Sequence, residues 1–317
     1  MYCYNESMIL IWILVFIVSL ILLVKSTDWL LESSEKIGLK IGLSPFVVGV
    51  VIVGVGTSFP ELISSLFAVF QGTTEIVVAN AVGSNIANIL LVIGITAIFA
   101  KKITVTKDLI NLDLPLVTLS YFLLLITAYD GVINLPEAVI LTFSLVSYIW
   151  FSIKYKDDGD DLNIDVKANP KPMDTLILVV GVLGLAIGAN YLIKSVVELS
   201  TILNIAPGVI SIAAIAFGTS LPELLVSIKA ALKGRSEVAV GNIIGSNVFN
   251  ALGVVGIPGL FSTLIIDDAT LKLGLPVLLA TTLVFVISGI SKRIHLQEGI
   301  FFVLIYIIFI SKLFGFF

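Results

Sequence analysis

The sequence predicts an all-α integral membrane protein, with ten transmembrane helices arranged as two inverted five-helix repeats and helices 2 and 7 broken near the bilayer midplane. Three observations predict it. Of 317 residues, 58% are hydrophobic and 13% charged, and the mean hydropathy is +1.14, far from the roughly half-apolar, quarter-charged usage of soluble domains. Apolar runs long enough to cross a bilayer core, about 20 residues each, occur ten times. One stretch also returns later in the chain at a constant offset and without a gap, with 22 identities in the 51 positions from Pro45/Pro207 to Ile95/Ile257.

The first run, 8–24, is preceded by Glu6 rather than a basic cluster and followed by no small-x-small cleavage site, so it reads as a retained helix rather than a signal peptide. The second, 44–70, carries Gly54, Gly56 and Pro60. The third, 75–99, opens on Thr74-Glu75, a capping oxygen and a negative charge where a helix N-terminus welcomes both. Runs four and five fall at 110–128 and 136–153. The polar stretch 154–173 then separates a first repeat, 1–153, from a second, 174–317, whose runs are 174–193, 207–232, 238–261, 273–290 and 297–314. Ser236-Glu237 repeats the capping signal. Five crossings per half is odd, so the second copy enters from the opposite side, a design recurrent among secondary transporters.

Orientation follows from the basic residues. With the N-terminus outside, one side carries Lys25, Lys36, Lys40, Lys101, Lys102, Lys107, Lys154, Lys156, Lys167, Lys171, Lys229, Lys233, Arg235, Lys292 and Arg293, and the other only Lys194, Lys272 and Lys312. The bias places both termini outside the cell and the 154–173 linker in the cytoplasm. A net charge of −4 argues against a nucleic-acid partner. The lone Cys3 and lone His295 suggest neither a disulfide nor a histidine metal site. The run Asp157-Asp158-Gly159-Asp160-Asp161 lacks the order and the distal Glu of an EF-hand, and reads as a solvated loop.

The chemistry lies in the repeated motifs. Gly56-Thr57-Ser58-Phe59-Pro60-Glu61 returns as Gly218-Thr219-Ser220-Leu221-Pro222-Glu223, and Gly83-Ser84-Asn85-Ile86-Ala87-Asn88 as Gly245-Ser246-Asn247-Val248-Phe249-Asn250. An ionised carboxylate near the bilayer centre costs several kcal/mol, so Glu61 and Glu223 are kept only if they face a partner, a cavity or an ion. Neither has a Lys or Arg within one turn, and two facing acids repel unless a proton or cation lies between them. On a helix Thr57 shares a face with Glu61, Ser84 with Asn88, and Ser246 with Asn250. Pro60 and Pro222 interrupt the helix and loosen carbonyls of the preceding turn. The donor set is all oxygen, which suits hard cations: calcium with two carboxylates, sodium with smaller neutral sets. Gly83, Gly94, Gly245, Gly256, Ser65 and Ser227 read as packing residues. Asn85 and Asn247, one residue off the stripe, read as helix-to-helix bonding groups.

The doubled Gly-Thr-Ser-x-Pro-Glu and Gly-Ser-Asn-x-x-Asn motifs resemble the paired alpha repeats of the sodium/calcium exchangers, in the cation/calcium antiporter superfamily, and the chain is similar throughout in span count, inversion and linker position. The resemblance implies a ten-helix antiporter with ion sites enclosed by spans 2, 3, 7 and 8, while spans 1 and 6 slide against that core. It implies calcium bound by Glu61 and Glu223 with help from Thr57 and Thr219. Ser58, Ser84, Ser220 and Ser246, with the carbonyls of Gly54 and Ala216, would form flanking sodium sites, and Asn88 and Asn250 would line the centre. Many sodium/calcium exchangers carry an acid where this chain has Asn250, and potassium-dependent relatives can carry acids at both central positions, so Asn88 and Asn250 speak against potassium dependence. The short linker leaves no room for the calcium-sensing domains of eukaryotic members.

The expectation is therefore a sodium/calcium antiporter of the cell membrane, not an enzyme, with Ca2+ and Na+ as substrates, no cofactor, no nucleotide and no obligatory protein partner. The alternatives are a calcium/proton antiporter of the same fold, whose proton-coupled members typically show Gly-Asn in place of Gly-Thr-Ser, a passive cation channel, and an intramembrane hydrolase using the two acids.

Overall fold

The computed structural model describes residues 6–104, 113–154, 171–202 and 220–314. Helices dominate: α1 (Glu6–Lys40), α2 (Pro45–Phe70), α3 (Glu75–Ala100), α4 (Asp113–Thr127), α5 (Leu135–Lys154), α6 (Pro172–Ile202), α7 (Leu221–Leu232), α8 (Ser236–Gly259), α9 (Thr270–Ile290) and α10 (Leu296–Leu313). Eight of these are long and apolar enough to cross a membrane, and α4 is a shorter apolar helix. The described part of α7 is twelve residues, and the rest of the run expected at 207–232 lies outside the described residues, as do the acidic run of the linker and Cys3. His295 caps α10, its backbone N–H donating to Glu298 Oε2 at 2.8 Å.

Burial sorts the helices. The membrane-length window of α8 is 100% buried and that of α3 78%, against 11% for α1. Without water to drive helices together, small residues set how closely they approach. A Cβ on Gly49 would meet the Val238 carbonyl oxygen at 2.6 Å, and one on Gly241 would run into the Phe46 carbonyl, so α2 and α8 are in backbone contact. α1 and α6 likewise pack along their length, with Gly181 against Leu30 and Gly188 against Leu23. α1 runs well past the apolar stretch 8–24 because its second half trades lipid for ion pairs. Asp28 meets Lys229 at 2.7 Å and Lys233 at 2.9 Å, and Glu35 meets Arg235 at 2.9 Å, at the end of α7 and its turn into α8.

Two short strand pairs close the bundle. β1 (Lys102–Thr104) pairs antiparallel with β4 (Arg293–His295), with Lys102 opposite His295 and Ile103 opposite Ile294. β2 (Val132–Ile133) pairs with β3 (Leu264–Ile265), with Val132 opposite Ile265 and Ile133 opposite Leu264. The offset that carries Gly56 to Gly218 also converts one register into the other: the pair Lys102/His295 maps onto Leu264/Ile133, and Ile103/Ile294 onto Ile265/Val132. Each half thus lends a strand to the other by the same rule.

Candidate ion-binding site

Helices begin where the motifs are. Ser58 has φ −86° and ψ 3°, Ser220 φ −84° and ψ 6°, and in both places a helix begins at the next residue. Pro60 and Pro222 occupy the second position of these helices, where a missing N–H costs nothing. Glu61 and Glu223 therefore sit in a first helical turn, the end of a helix that favours negative charge. Both are 0% exposed. Helices also widen into π turns beside predicted site residues: Val48–Gly54 ends on Gly54, Asn88–Val92 begins on Asn88 and Phe249–Val254 contains Asn250. Such turns disturb the regular ladder and cluster at functional positions.

Around Gly54 three oxygens converge. Thr57 Oγ1 lies 3.2 Å from the Gly54 carbonyl oxygen and 3.2 Å from Ser246 Oγ, and Ser246 Oγ lies 3.2 Å from the same carbonyl. The Gly54 carbonyl is shared, since the Ser58 N–H also donates to it at 3.1 Å. Glycine is required here: a Cβ on Gly54 would meet the Ser246 nitrogen at 2.8 Å and the Asn242 carbonyl at 3.0 Å.

Asn242 is a positioning residue that the motif reading missed. Its Oδ1 accepts from Thr57 Oγ1 at 3.0 Å, and its Nδ2 donates to Ser227 Oγ at 3.0 Å and to the Glu223 carbonyl at 3.5 Å. Asn80, its equivalent in the first repeat, donates to Ser65 Oγ at 3.3 Å and to the Glu61 carbonyl at 3.5 Å. Each asparagine braces the turn that carries a glutamate. The signal was available, because Asn80 and Asn242 are one of the identities between the copies. Ser65 and Ser227, read as packing residues, accept these bonds.

Ser58 Oγ donates to Glu223 Oε1 at 3.0 Å, joining α2 to α7. Ser84 and Ser220 line one cavity of about 410 Å³ with Asn80, Asp267 and Tyr306. Although burial pushes the Asp267 carboxyl up, bonds from the Thr270 hydroxyl and backbone N–H groups hold it below the usual carboxylate range, a fixed negative charge on that cavity's wall. The π turn at Asn88 packs against α7 and α8, and that at Asn250 against α2 and α3. Ala216 and Thr219 lie outside the described residues.

The side-chain amides of Asn88 and Asn250 are buried and make no hydrogen bond among the described residues, and the same is true of Glu223 Oε2. Asn85 and Asn247 correct the expectation of helix-to-helix bonds: they too are fully buried and make none among the described residues. Each such atom costs about 1–3 kcal/mol unless a ligand or water meets it. No group of three or more His, Cys, Asp or Glu side chains suited to a metal occurs among the described residues. An ion held by the described residues is therefore met by two carboxylates at most, with hydroxyl, amide and carbonyl oxygens completing the shell.

The family model described as sodium/calcium exchanger protein matches residues 11–154 and 173–315. The sodium/calcium exchanger MaX1 of Methanosarcina acetivorans is 30% identical over 97% of this chain and 99% of its own length. The putative antiporter CaxA of Alkalimonas amylolytica is 33% identical over 89% of this chain and 92% of its own. A solved structure of the sodium-calcium exchanger NCX_Mj, soaked without Na+ and Ca2+, superposes with a TM-score of 0.82 at 30% identity, covering 96% of this chain and 99% of that one.

Proposed function

This chain belongs to the sodium/calcium exchanger family, and we propose that Glu61 and Glu223 form the centre of its ion path. The protein is an Na+/Ca2+ antiporter, a multi-pass membrane protein rather than an enzyme, and its substrates are the ions themselves. Calcium occupies the two carboxylates with help from Thr57 and Thr219. Sodium takes flanking sites from Ser58, Ser84, Ser220, Ser246 and the carbonyls of Gly54 and Ala216, and Asn88 and Asn250 line the centre. The two ions compete for the glutamates, which couples one gradient to the other.

The observation that carries this reading is the triangle of Gly54 carbonyl, Thr57 Oγ1 and Ser246 Oγ, with every edge 3.2 Å. An octahedral face with that edge belongs to a cation–oxygen distance of about 2.3 Å, at the short end of the calcium range and longer than magnesium's roughly 2.0–2.1 Å. All three donors are neutral, which suits a singly charged ion of calcium's size. The hydrogen bonds now joining them are those a cation would replace.

The architecture we propose is ten crossings in two inverted repeats, 1–153 and 174–317, joined by a cytoplasmic linker at 154–173, with α2 and α7 broken at the midplane and both termini outside the cell. The exchanged strand register and the matching backbone geometry of Ser58 and Ser220 support a two-fold relation of the halves. The deciding experiment is labelled calcium uptake into proteoliposomes under an outward sodium gradient, an outward proton gradient, or none. Sodium alone is expected to drive uptake; proton-driven uptake would assign the calcium/proton reading, and equal flux without a gradient a channel. A cysteine introduced at position 160 is expected to label only from the cytoplasmic side.

A further inference from the structure

One end of the bundle collects basic side chains. Lys101 leads into β1 and Lys292 into β4, and Lys102 faces His295 and Thr104 faces Arg293 across the ladder. The repeat-related pair β2·β3, built to the same register, consists of Val132, Ile133, Leu264 and Ile265, so the strand pairing itself does not require charge. Ion pairing among the described residues does not account for Lys101, Lys102 and Arg293 either. Lys229, Lys233 and Arg235 meet Asp28, Glu32 and Glu35 on α1, whereas Lys101, Lys102 and Arg293 meet no carboxylate among the described residues.

The backbone adds a second observation. Lys101 has φ 62° and Lys292 φ 54°, the left-handed region where glycine is the low-cost residue. Beside β2 the chain does use glycine, Gly131 at φ 86°. Lysine is thus kept at two strained positions of this end. Beside it lies a cavity of about 890 Å³ lined by Thr104, Ser291, Lys292, Arg293, His295 and Glu298. β1 begins two residues past α3, β4 runs directly into α10, and α9 ends at Ile290, so the cluster sits where three apolar helices end.

We propose that this surface binds the phosphate of an anionic phospholipid headgroup seated between the ends of α3, α9 and α10. The inference needs the helices to span a membrane and is independent of the ion-site assignment. Lysine or arginine near an anionic membrane surface contributes about fivefold in affinity per cation, and the effect weakens with salt.

The test is a titration of the purified protein with phosphatidylglycerol, followed by native mass spectrometry of bound lipid, with phosphatidylcholine and inorganic phosphate as separate arms. The exposed triple substitution K101Q/K102Q/R293Q is expected to weaken phosphatidylglycerol binding by about 100-fold, and the single K102Q by about fivefold. The control K229Q/K233Q, whose lysines are already paired, is expected to bind as the parent does. The proposal is overturned if the triple variant binds like the parent, if the control loses as much, if phosphatidylcholine binds equally, or if inorganic phosphate displaces the lipid and occupies the site alone. K102Q keeps the test decisive should the triple variant fold poorly.

Discussion

Replacing Glu223 by glutamine separates a functional carboxylate from a structural one by the sign of two effects. Glu223 is fully buried, with one oxygen bonded to Ser58 Oγ at 3.0 Å and the other unpaired among the described residues. Without an ion this carboxylate is buried at a desolvation cost. Glutamine is nearly isosteric, keeps an acceptor for Ser58 and avoids that cost, so ion-free Glu223→Gln is expected to be more stable by about 1–3 kcal/mol. In a chain this long that is a rise in melting temperature of a few degrees, at about 2–4 °C per kcal/mol. With calcium present the sign reverses. Removing one member of a buried charge pair costs about 3–5 kcal/mol, which is a loss in calcium affinity of about two to three and a half orders of magnitude at about 1.4 kcal/mol per decade. The assay is thermal unfolding of detergent-purified protein across a calcium titration, beside sodium-driven uptake in proteoliposomes. If the variant melts lower than the parent without calcium, or keeps its calcium-induced stabilisation, the placement of Glu223 at the ion is wrong.

Asn242→Leu removes three bonds from a buried side chain and leaves Thr57 Oγ1 and Ser227 Oγ to find new partners; a loss of about 2–4 kcal/mol in thermal stability and sharply reduced calcium uptake are expected. Asn80→Leu, whose bonds are longer at 3.3–3.5 Å, should cost less, and equal losses would mean that the shorter bonds of Asn242 add nothing. Gly54→Ala forces a methyl onto the backbone of α8 and opens the oxygen triangle; the sodium concentration for half-maximal exchange is expected to rise, and an unchanged value would refute the triangle as a sodium site. Asp28→Asn breaks two ion pairs, but its side chain is 32% exposed, so pairs of this kind contribute about 0–1 kcal/mol each and melting should move by only a few degrees. A larger drop would mean that α1 is held mainly by charge.

Much of this was legible because membrane chemistry leaves few choices. A carboxylate in an apolar run has to serve something, so Glu61 and Glu223 stood out, and proline two residues after serine marked where the helices Phe59–Phe70 and Leu221–Leu232 begin. The duplication made each signal count twice. Three things were hidden. The π turns at Asn88 and Asn250 arise from how helices fit together, and no residue type encodes them. The strand pairs are two or three residues long, too short for a periodic signal. The reach of α1 to Lys40 was hidden because hydropathy ends at its apolar stretch, while Asp28, Glu32 and Glu35 continue the helix by meeting basic residues in the second half of the chain. Asn80 and Asn242 were visible as identities but outside the motifs, and asparagine in a membrane helix does not by itself say whether it holds an ion or a neighbouring turn.

The exchanged strands bear on how the protein is made. β1 waits for a partner near the far end of the chain, since Lys102 pairs with His295, and β2 waits for one deep in the second half, since Val132 is matched only when Ile265 emerges and Ile133 only with Leu264. Synthesis therefore delivers a first half whose two strand edges stay open until most of the second has been inserted, and such late, long-range closure is the slow part of assembly. Because each half holds what the other lacks, the halves made as separate chains carry matching edges at both ends of the bundle, and co-expression becomes a route to reassembling the exchanger from two pieces.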